Sequence, residues 1–270
     1  MQSQNKKALF FDIDGTLLDD RTKVAPESAV EALAEAMKQG HLTFICSGRT
    51  FCCVEEVARR FPLTGIICGG GTHIIAEGKT LLEYKVPSER GNAIKRMLKD
   101  KRVDAVFEAS QGTYFTGHPF FNRPMDGMTN HMEEISPCYY DCVEDMEFTF
   151  NKICVCMSPG GADRAYEEVI ADLETDMLCT KRKGNFHECI PYGYTKATGI
   201  EQILKYYRLT YDDAYVFGDS INDITMFRSP AAHRIVMKQH DPALDEYATY
   251  FADAVLDDGI SKAMKDLGVI

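Results

Sequence analysis

Short apolar runs alternate with amphipathic segments in the first 70 residues, and this alternation limits the possible folds more than any other feature. The runs Ala8 to Ile13 and Leu42 to Cys46 are almost continuously apolar, and the stretch Gly-Ile-Ile-Cys-Gly-Gly-Gly at 65–71 is the third predicted strand, as in a parallel sheet that is covered on both faces. The first intervening segment, 26–40, carries apolar residues at helical spacing, and a second helix is predicted through Val54, Val57 and Ala58. A strand, helix, strand series of this kind predicts an α/β fold, a doubly wound parallel sheet.

The pattern changes near Tyr84, where short β-like segments begin to outnumber helices, and it returns to strand and helix near Pro191. We therefore predict two domains within the 270 residues. A discontinuous core is expected over residues 1–83 and 189–270. An inserted α+β domain is expected over residues 84–188.

Charge and composition exclude several classes of partner. The chain has 41 acidic and 30 basic residues, a net charge of -11, so we expect neither nucleic acid nor an anionic membrane as a partner. No apolar run reaches the ~18 residues that a membrane span requires, and the first residues lack the apolar stretch of a signal peptide. We expect a cytoplasmic protein whose ten cysteines are reduced, mostly buried thiols.

Two aspartates end the first apolar strand, in the stretch Asp-Ile-Asp-Gly-Thr. Asp12 and Asp14 are two residues apart and would face the same side of a strand, at the edge where open α/β sheets bind ligands. Carboxylates so close repel each other unless a cation or a proton lies between them. Mg²⁺ prefers oxygen ligands, so the pair predicts a Mg²⁺ site, with Gly15 allowing a sharp turn. Alone, the motif also fits a polar strand end followed by a turn.

A second acidic stretch, Gly-Asp-Ser-Ile-Asn-Asp, follows the apolar run 214–217. Asp219 at this strand tip would lie beside Asp12 if the two strands are neighbours. Asp223 would either bind the cation or orient its ligands. As an alternative, Asn222 or Asp223 would only cap the following helix.

Two further segments suit a phosphate group. Ser47 offers a hydroxyl, and the backbone amides of Gly48 and Arg49 would point at an anion from a strand-to-helix turn. Lys196, at a predicted helix start, offers a mobile positive charge. Each feature alone also fits ordinary surface structure, but four such segments at strand ends or helix starts favour a single site for metal and phosphate.

Together these motifs resemble those of the haloacid dehalogenase superfamily. The insertion lies between the serine and the lysine motifs, as does the cap of the Cof-type phosphatases. The resemblance implies that Asp12 is the nucleophile, that Asp14 is the general acid and base, and that Mg²⁺ is held partly by the backbone carbonyl of Asp14. It implies phosphate binding by Ser47, Gly48, Lys196 and Asn222. It implies a metal site formed by Asp12, Asp14, Asp219 and Asp223.

The resulting hypothesis is a Mg²⁺-dependent phosphatase of small phosphorylated metabolites, sugar phosphates or related phosphomonoesters, acting through an aspartyl-phosphate intermediate. A phosphomutase, which transfers the phosphoryl group to a sugar hydroxyl, is an alternative. A dehalogenase would need neither the second aspartate nor the metal. A non-catalytic metabolite sensor would be marked by loss of Asp12, Asp14 or Lys196, and all three are present.

Two positions depart from the Cof-type pattern. Gly70 stands where those proteins usually have Asn, and Met237 to Asp241 replaces their usual Gly-Asn-Ala. We expect the cap to determine specificity by closing over the leaving group. The cap residues considered for this role are Lys181, Arg182, Lys183, His187, Tyr114, Phe120, Phe121, Met125 and Met128. Each of these also fits a solvated surface or a hydrophobic core.

Overall fold

The computed structural model describes residues 6–117, 120, 125–140, 147–157, 161, 163–182 and 186–270. The chain divides into two compact units. The first comprises the chain up to Gly48, residues 57–82 and residues 195–270; the second comprises residues 49–56 and 83–194.

The helices and strands are numbered along the chain. The strands are β1 (Ala8–Phe11), β2 (Leu42–Cys46), β3 (Gly65–Cys68), β4 (His73–Ala76), β5 (Lys79–Glu83), β6 (Ala105–Glu108), β7 (Thr113–Phe115), β8 (Cys138–Tyr139), β9 (Lys152–Cys156), β10 (Met177–Arg182), β11 (Phe186–Pro191), β12 (Ala214–Gly218), β13 (His233–Val236) and β14 (Tyr250–Phe251). The helices are α1 (Glu27–Lys38), α2 (Phe51–Ala58), α3 (Ser88–Lys101), α4 (Met125–Ile135), α5 (Arg164–Leu173), α6 (Lys196–Tyr207), α7 (Ile224–Arg228) and α8 (Gly259–Asp266).

The first unit contains a sheet of strand order β14-β13-β12-β1-β2-β3-β4-β5. Six of its strands, from β14 to β3, run parallel, and β4 is antiparallel to β3. The order reverses at β1, which lies between β2 and β12. The predicted doubly wound α/β fold is therefore confirmed, and β1 lies at the switch point where such sheets bind ligands.

Both faces of this sheet are buried, which explains the continuous apolar runs. On one face Phe10, Phe44 and Val216 share a core with apolar residues of α6 and α7. The alternate residues Leu9 and Phe11 point the other way and are also fully buried. Helices α1 and α8 contact each other, and α1 packs against β2. Such two-sided burial is typical of parallel sheets in α/β proteins.

The sequence patterns did not predict every element. Strands β4 and β5 are absent from the predicted series. The three glycines at 69–71 lie between β3 and β4, which pair antiparallel. The last strand, β14, has only two residues. Helix α4 lies in the segment where short β-like segments were expected to outnumber helices. Strands as short as β4, β5 and β14 provide too little periodicity for prediction.

The second unit contains a six-stranded sheet of order β10-β11-β9-β6-β7-β8. Its pairs are antiparallel except for β7 and β8. Phe107, Ile153 and Val155 pack in a core with α3 and α5. Cys154 and Cys156 point to the opposite face, where Met128 of α4 packs against them. This is an α+β unit, consistent with the insertion expected from the sequence. Across the described residues, every helix is too short or too polar to cross a membrane.

Candidate active site

Asp12 and Asp219 immediately follow two neighbouring strands, β1 and β12. The parallel register pairs Phe11 with Phe217, and the Asp12 N–H donates to the Phe217 carbonyl at 3.0 Å. Asp12 is 3% exposed. The strand pairing therefore brings the two carboxylates to the same point at the carboxyl edge of the sheet.

A third carboxylate, Asp223, completes a compact acidic group. One carboxylate oxygen from each of Asp12, Asp219 and Asp223 lies within 4.8 Å of the others. Asp223 is fully buried, and its Oδ2 accepts the backbone N–H groups of Asp219 at 3.0 Å and Ser220 at 3.1 Å. Asp223 therefore both caps the short helical turn and fixes the loop that carries Asp219.

Lys196 joins two of these carboxylates from the start of α6. Its Nζ donates to Asp12 Oδ1 and to Asp223 Oδ1, both at 2.6 Å, and the residue is buried. Thr195 caps the helix by accepting from the Thr198 N–H. Gly71 allows the close approach of this helix start, because a Cβ there would lie 2.2 Å from the Thr195 carbonyl oxygen.

The three carboxylates outnumber the single ammonium group of Lys196, which contacts two of them. Burial and the Asp223 carboxylate raise the pKa of Asp12 to about 7, against the opposing effect of Lys196. Burial, Asp12 and Asp223 raise the pKa of Asp219 to about 9. Burial alone would lower the pKa of Lys196, but Asp12 and Asp223 outweigh it, so its pKa lies above the usual range. Three hard oxygen donors with this charge imbalance suit a divalent cation such as Mg²⁺.

Gly15 and Thr16 contact the Asp219 side chain and hold it in position. Gly15 has φ +80°, and a Cβ on it would lie 2.4 Å from Asp219 Oδ2. The Thr16 hydroxyl donates to Asp219 Oδ1 at 3.2 Å. Thr16 was not among the predicted site residues, although its place beside the Asp-Ile-Asp-Gly motif could have indicated it.

We expect Gly15→Ala to weaken divalent-cation binding by about 10- to 100-fold, a range typical of changes to groups that orient metal ligands. The added methyl group would displace the Asp219 carboxylate. Gly40→Ala is the matched control, because Gly40 also has a positive φ, +91°, but has nothing within 4 Å of the added Cβ. Calorimetric titration with Mg²⁺ measures both variants. Equal affinity of Gly15→Ala and the wild-type chain would contradict the expectation.

The Asp14 carboxylate does not belong to this group of three. Its Oδ1 accepts from Lys23 Nζ at 3.0 Å, and Lys23 also donates to Asp20 at 3.2 Å. The Asp14 side chain is 33% exposed, whereas Asp12 is buried. The predicted metal contact of Asp14 through its backbone carbonyl stays a prediction. Lys23 was missed, because its position nine residues beyond Asp14 follows no recognisable motif.

Ser47 and Gly48 follow β2, as predicted. The Ser47 N–H donates to the Ile67 carbonyl at 2.8 Å, and its carbonyl accepts the Gly70 N–H at 3.1 Å. Ser47 is buried and Gly48 is half-buried. Gly70 has φ +64°, a left-handed conformation that Gly and Asn adopt most readily. Gly70 therefore meets the backbone requirement of a turn at which the resemblance implies Asn.

The loop that departs from the Cof-type pattern holds the backbone around Asp219. The Met237 N–H donates to the Gly218 carbonyl at 3.1 Å, and the Asp241 N–H donates to the Asp219 carbonyl at 2.7 Å. His240 contacts the Met237 carbonyl through Nδ1 at 2.7 Å. The segment Met237 to Asp241 therefore holds the loop that carries Asp219 through backbone hydrogen bonds.

Asn222 lies beside the acidic group in sequence and is half-buried. Its Oδ1 accepts from the Ser220 hydroxyl at 2.7 Å. This contact orients the amide but does not assign it a role in binding phosphate.

The predicted specificity residues of the second unit have local partners. Arg182 donates to Glu188 at 2.9 Å, and His187 lies 2.5 Å from the Tyr166 hydroxyl. The Tyr114 ring stacks on Phe148, and Phe120 and Met128 pack beside a cluster of buried apolar residues, whereas Lys181 is exposed. Lys183, Phe121 and the side chain of Met125 lie outside the described part of the chain.

Comparison with known proteins gives concordant matches over nearly the whole chain. A model of the haloacid dehalogenase-like hydrolase family matches residues 9–264. "Putative phosphatase YkrA" of Bacillus subtilis is 30% identical, over 98% of this chain and 99% of the relative. The 5-amino-6-(5-phospho-D-ribitylamino)uracil phosphatase YwtE of Bacillus subtilis is 24% identical, over 94% of this chain and 96% of the relative. A solved structure described as the subclass IIB sugar phosphatase BT4131 is 26% identical, with TM-score 0.80, covering 98% of this chain and 100% of that one.

Proposed function

The chain belongs to the haloacid dehalogenase-like hydrolases, and from this premise we propose that it is a Mg²⁺-dependent phosphatase of phosphorylated sugars and polyols. That it is an enzyme of the phosphatase class follows from the family and its relatives. The metal, the substrate class, the residue roles and the aspartyl-phosphate mechanism are the proposal.

One observation carries the proposal: Asp12, Asp219 and Asp223 bring carboxylate oxygens within 4.8 Å of one another, with Lys196 bound to two of the three residues. Asp12 lies at the switch point of the sheet, where substrates of open α/β proteins bind. A buried carboxylate beside a fixed ammonium is well placed to approach a phosphoryl group, because the ammonium offsets the repulsion between the two anions.

The proposed reaction has two steps. A carboxylate oxygen of Asp12 attacks phosphorus in line, which forms an O–P bond and breaks the bond to the ester oxygen. Asp14 gives a proton to the leaving oxygen and later accepts one from the water that releases phosphate. Asp12, Asp219 and the backbone carbonyl of Asp14 would hold Mg²⁺, and Asp223 would orient these ligands. The bound ion would supply positive charge between nucleophile and phosphate.

The remaining residues would hold the transferred oxygens. Lys196 supplies a positive charge, and Ser47 supplies a hydroxyl group. The backbone amide of Gly48 and the side-chain amide of Asn222 would donate further hydrogen bonds. The Lys23 contact would keep the Asp14 carboxylate oriented between turnovers.

The relatives suggest the substrate class. One is named as a phosphatase of a phosphoribityl compound and another as a sugar phosphatase. Both names describe a phosphomonoester on a hydroxylated carbon chain. We therefore propose substrates of this chemical class for the present chain.

A hydrolysis screen tests the proposed function. The purified chain is incubated with 5-amino-6-(5-phospho-D-ribitylamino)uracil, a series of hexose and pentose phosphates, and an aryl phosphate, each with Mg²⁺ or with a chelator. We expect free phosphate from at least one sugar or polyol phosphate and only with Mg²⁺. Metal-independent turnover, or transfer of phosphate to a second sugar in place of release, would contradict the proposal.

The raised pKa values predict how the metal-free protein responds to pH. In the folded state Asp12 and Asp219 have pKa values of about 7 and about 9, above the ordinary 3.8. Between pH 4 and 9 the folded chain therefore binds protons that the unfolded chain has lost, so the stability from these groups falls as pH rises. We expect the melting temperature in chelator to fall from pH 5 to pH 9.

The Asp219→Asn variant is the control for this measurement, since it removes the group with the higher pKa. Its melting temperature should fall less steeply above pH 7 than that of the wild-type chain. Equal slopes for the two proteins would show that Asp219 does not titrate as expected.

A further inference from the structure

Two cysteines of the second unit face each other across strands β10 and β11. Cys179 and Cys189 are direct partners in the antiparallel register, and both are free thiols. Cys189 is fully buried, whereas Cys179 is half-buried on the edge strand β10. The neighbouring Cys179 side chain and burial raise the pKa of the Cys189 thiol, which donates to the His187 carbonyl oxygen at 3.9 Å. Because the two residues are directly opposite in the register, their side chains lie on the same face of the sheet, with Cβ atoms about 4.5–5.5 Å apart.

The hydrogen bonds between β10 and β11 show whether Cys179 and Cys189 form a hydrogen-bonded or a non-hydrogen-bonded pair. The Tyr192 N–H donates to the Asp176 carbonyl at 3.0 Å, so that pair is hydrogen-bonded, and pair types alternate along an antiparallel ladder. Pro191, which has no N–H, occupies the next, non-hydrogen-bonded pair. By the same alternation Cys179 and Cys189 are a non-hydrogen-bonded pair, in which the Cα atoms lie about 4.5 Å apart. That spacing lies within the range found in disulfides.

We propose that Cys179 and Cys189 are a site of reversible disulfide formation, with a low-molecular-weight disulfide as the oxidant. The more accessible Cys179, as thiolate, attacks one sulfur of the oxidant and releases one small thiol. Cys189 then loses its proton and attacks the Cys179 sulfur, which releases the second small thiol. Two protein thiols are oxidised to one disulfide, and the oxidant is reduced to two thiols.

The fold favours a disulfide between Cys179 and Cys189 over one between Cys52 and Cys53. Cys52 and Cys53 have sulfur atoms 3.7 Å apart, but they are consecutive residues of α2. Consecutive Cα atoms are about 3.8 Å apart, below the usual disulfide minimum of about 4.4 Å. A bond between them would distort α2. A bond between Cys179 and Cys189 would preserve the pairing of β10 with β11 and tie the edge strand to the sheet.

Peptide mapping of the intact protein tests the proposal. The folded chain is incubated with glutathione disulfide, its free thiols are blocked with N-ethylmaleimide, and it is digested with trypsin without reduction. Trypsin cuts at Lys181, Arg182 and Lys183, which lie between the two cysteines in sequence, so their peptides stay together only if they are cross-linked. We expect the cross-linked peptides, a loss of two of the ten thiols, and reversal of both by dithiothreitol.

Two variants provide controls. Cys179→Ser should abolish the cross-linked peptides. Cys138→Ser, which replaces another half-buried thiol of the same unit in contact with the Ser136 hydroxyl, should leave them unchanged. A lasting glutathione adduct on Cys179, an unreacted Cys179, a Cys52–Cys53 bond in its place, or cross-linking only after the circular dichroism signal of the fold is lost would each overturn the proposal.

Discussion

Asp12→Asn is expected to abolish phosphate release while leaving the chain folded. The amide cannot form the proposed aspartyl-phosphate, so the loss of turnover should be on the order of 10⁴-fold or more, as for other nucleophile removals. Asn has nearly the same shape as Asp, and its oxygen can still accept from Lys196. Because repulsion and burial already raise the pKa of Asp12 to about 7, a neutral side chain should not lower stability. Turnover of an aryl phosphate and the melting temperature measure the two effects.

Asp20→Asn is the matched control for this substitution. It makes the same chemical change in the same segment, at a carboxylate that is exposed and contacts Lys23. We expect its turnover to stay within about 3-fold of wild type, since exposed ion pairs contribute little. Substantial activity in Asp12→Asn, or equal losses in the two variants, would rule out Asp12 as the nucleophile.

Lys196→Met is expected to damage both stability and activity. Its ammonium is buried and binds Asp12 and Asp223 at 2.6 Å each. Removing one partner of a buried ion pair leaves uncompensated charge, which costs about 3–5 kcal/mol of unfolding free energy. The same change removes the positive charge proposed to bind the phosphoryl group. Urea unfolding in chelator measures the loss of stability, and aryl phosphate turnover measures the loss of activity.

Lys205→Met is the matched control, which distinguishes the loss of the buried ion pairs from the effect of replacing any lysine of α6. Lys205 lies on the same helix, α6, but is exposed and pairs with Glu201 along the helix, a contact that contributes little to stability. We also expect Mg²⁺ to restore part of the stability of Lys196→Met, because a cation among the carboxylates would offset the lost ammonium. An unfolding free energy of Lys196→Met equal to that of Lys205→Met would contradict this account of the site.

The sequence predicts the parts of the fold that depend on long apolar runs. Strands such as β1 and β2 are buried on both faces, so their composition alone indicates a parallel sheet. The β3–β4 hairpin could not be predicted, because its turn depends on Gly69 to Gly71 adopting positive φ. The two-residue strand β14 is paired only through the tertiary fold.

In the candidate site, too, the sequence predicts some contacts and not others. Motif order predicts that Asp12, Asp219 and Asp223 meet, because parallel pairing of β1 with β12 brings strand ends together. The contact of Asp14 with Lys23 depends on the path of a surface loop and on a residue with φ +55°. Side-chain partners across loops leave no periodic signal in a sequence.

The most direct test of the site is the number of divalent cations bound per chain, measured by calorimetric titration of the wild-type chain and Asp219→Asn with Mg²⁺. We predict one ion for each wild-type chain, with a dissociation constant close to the Mg²⁺ concentration that gives half-maximal phosphate release. Asp219→Asn should lose both the binding and the activation. Full phosphate release from the wild-type chain with no bound cation would contradict the central claim.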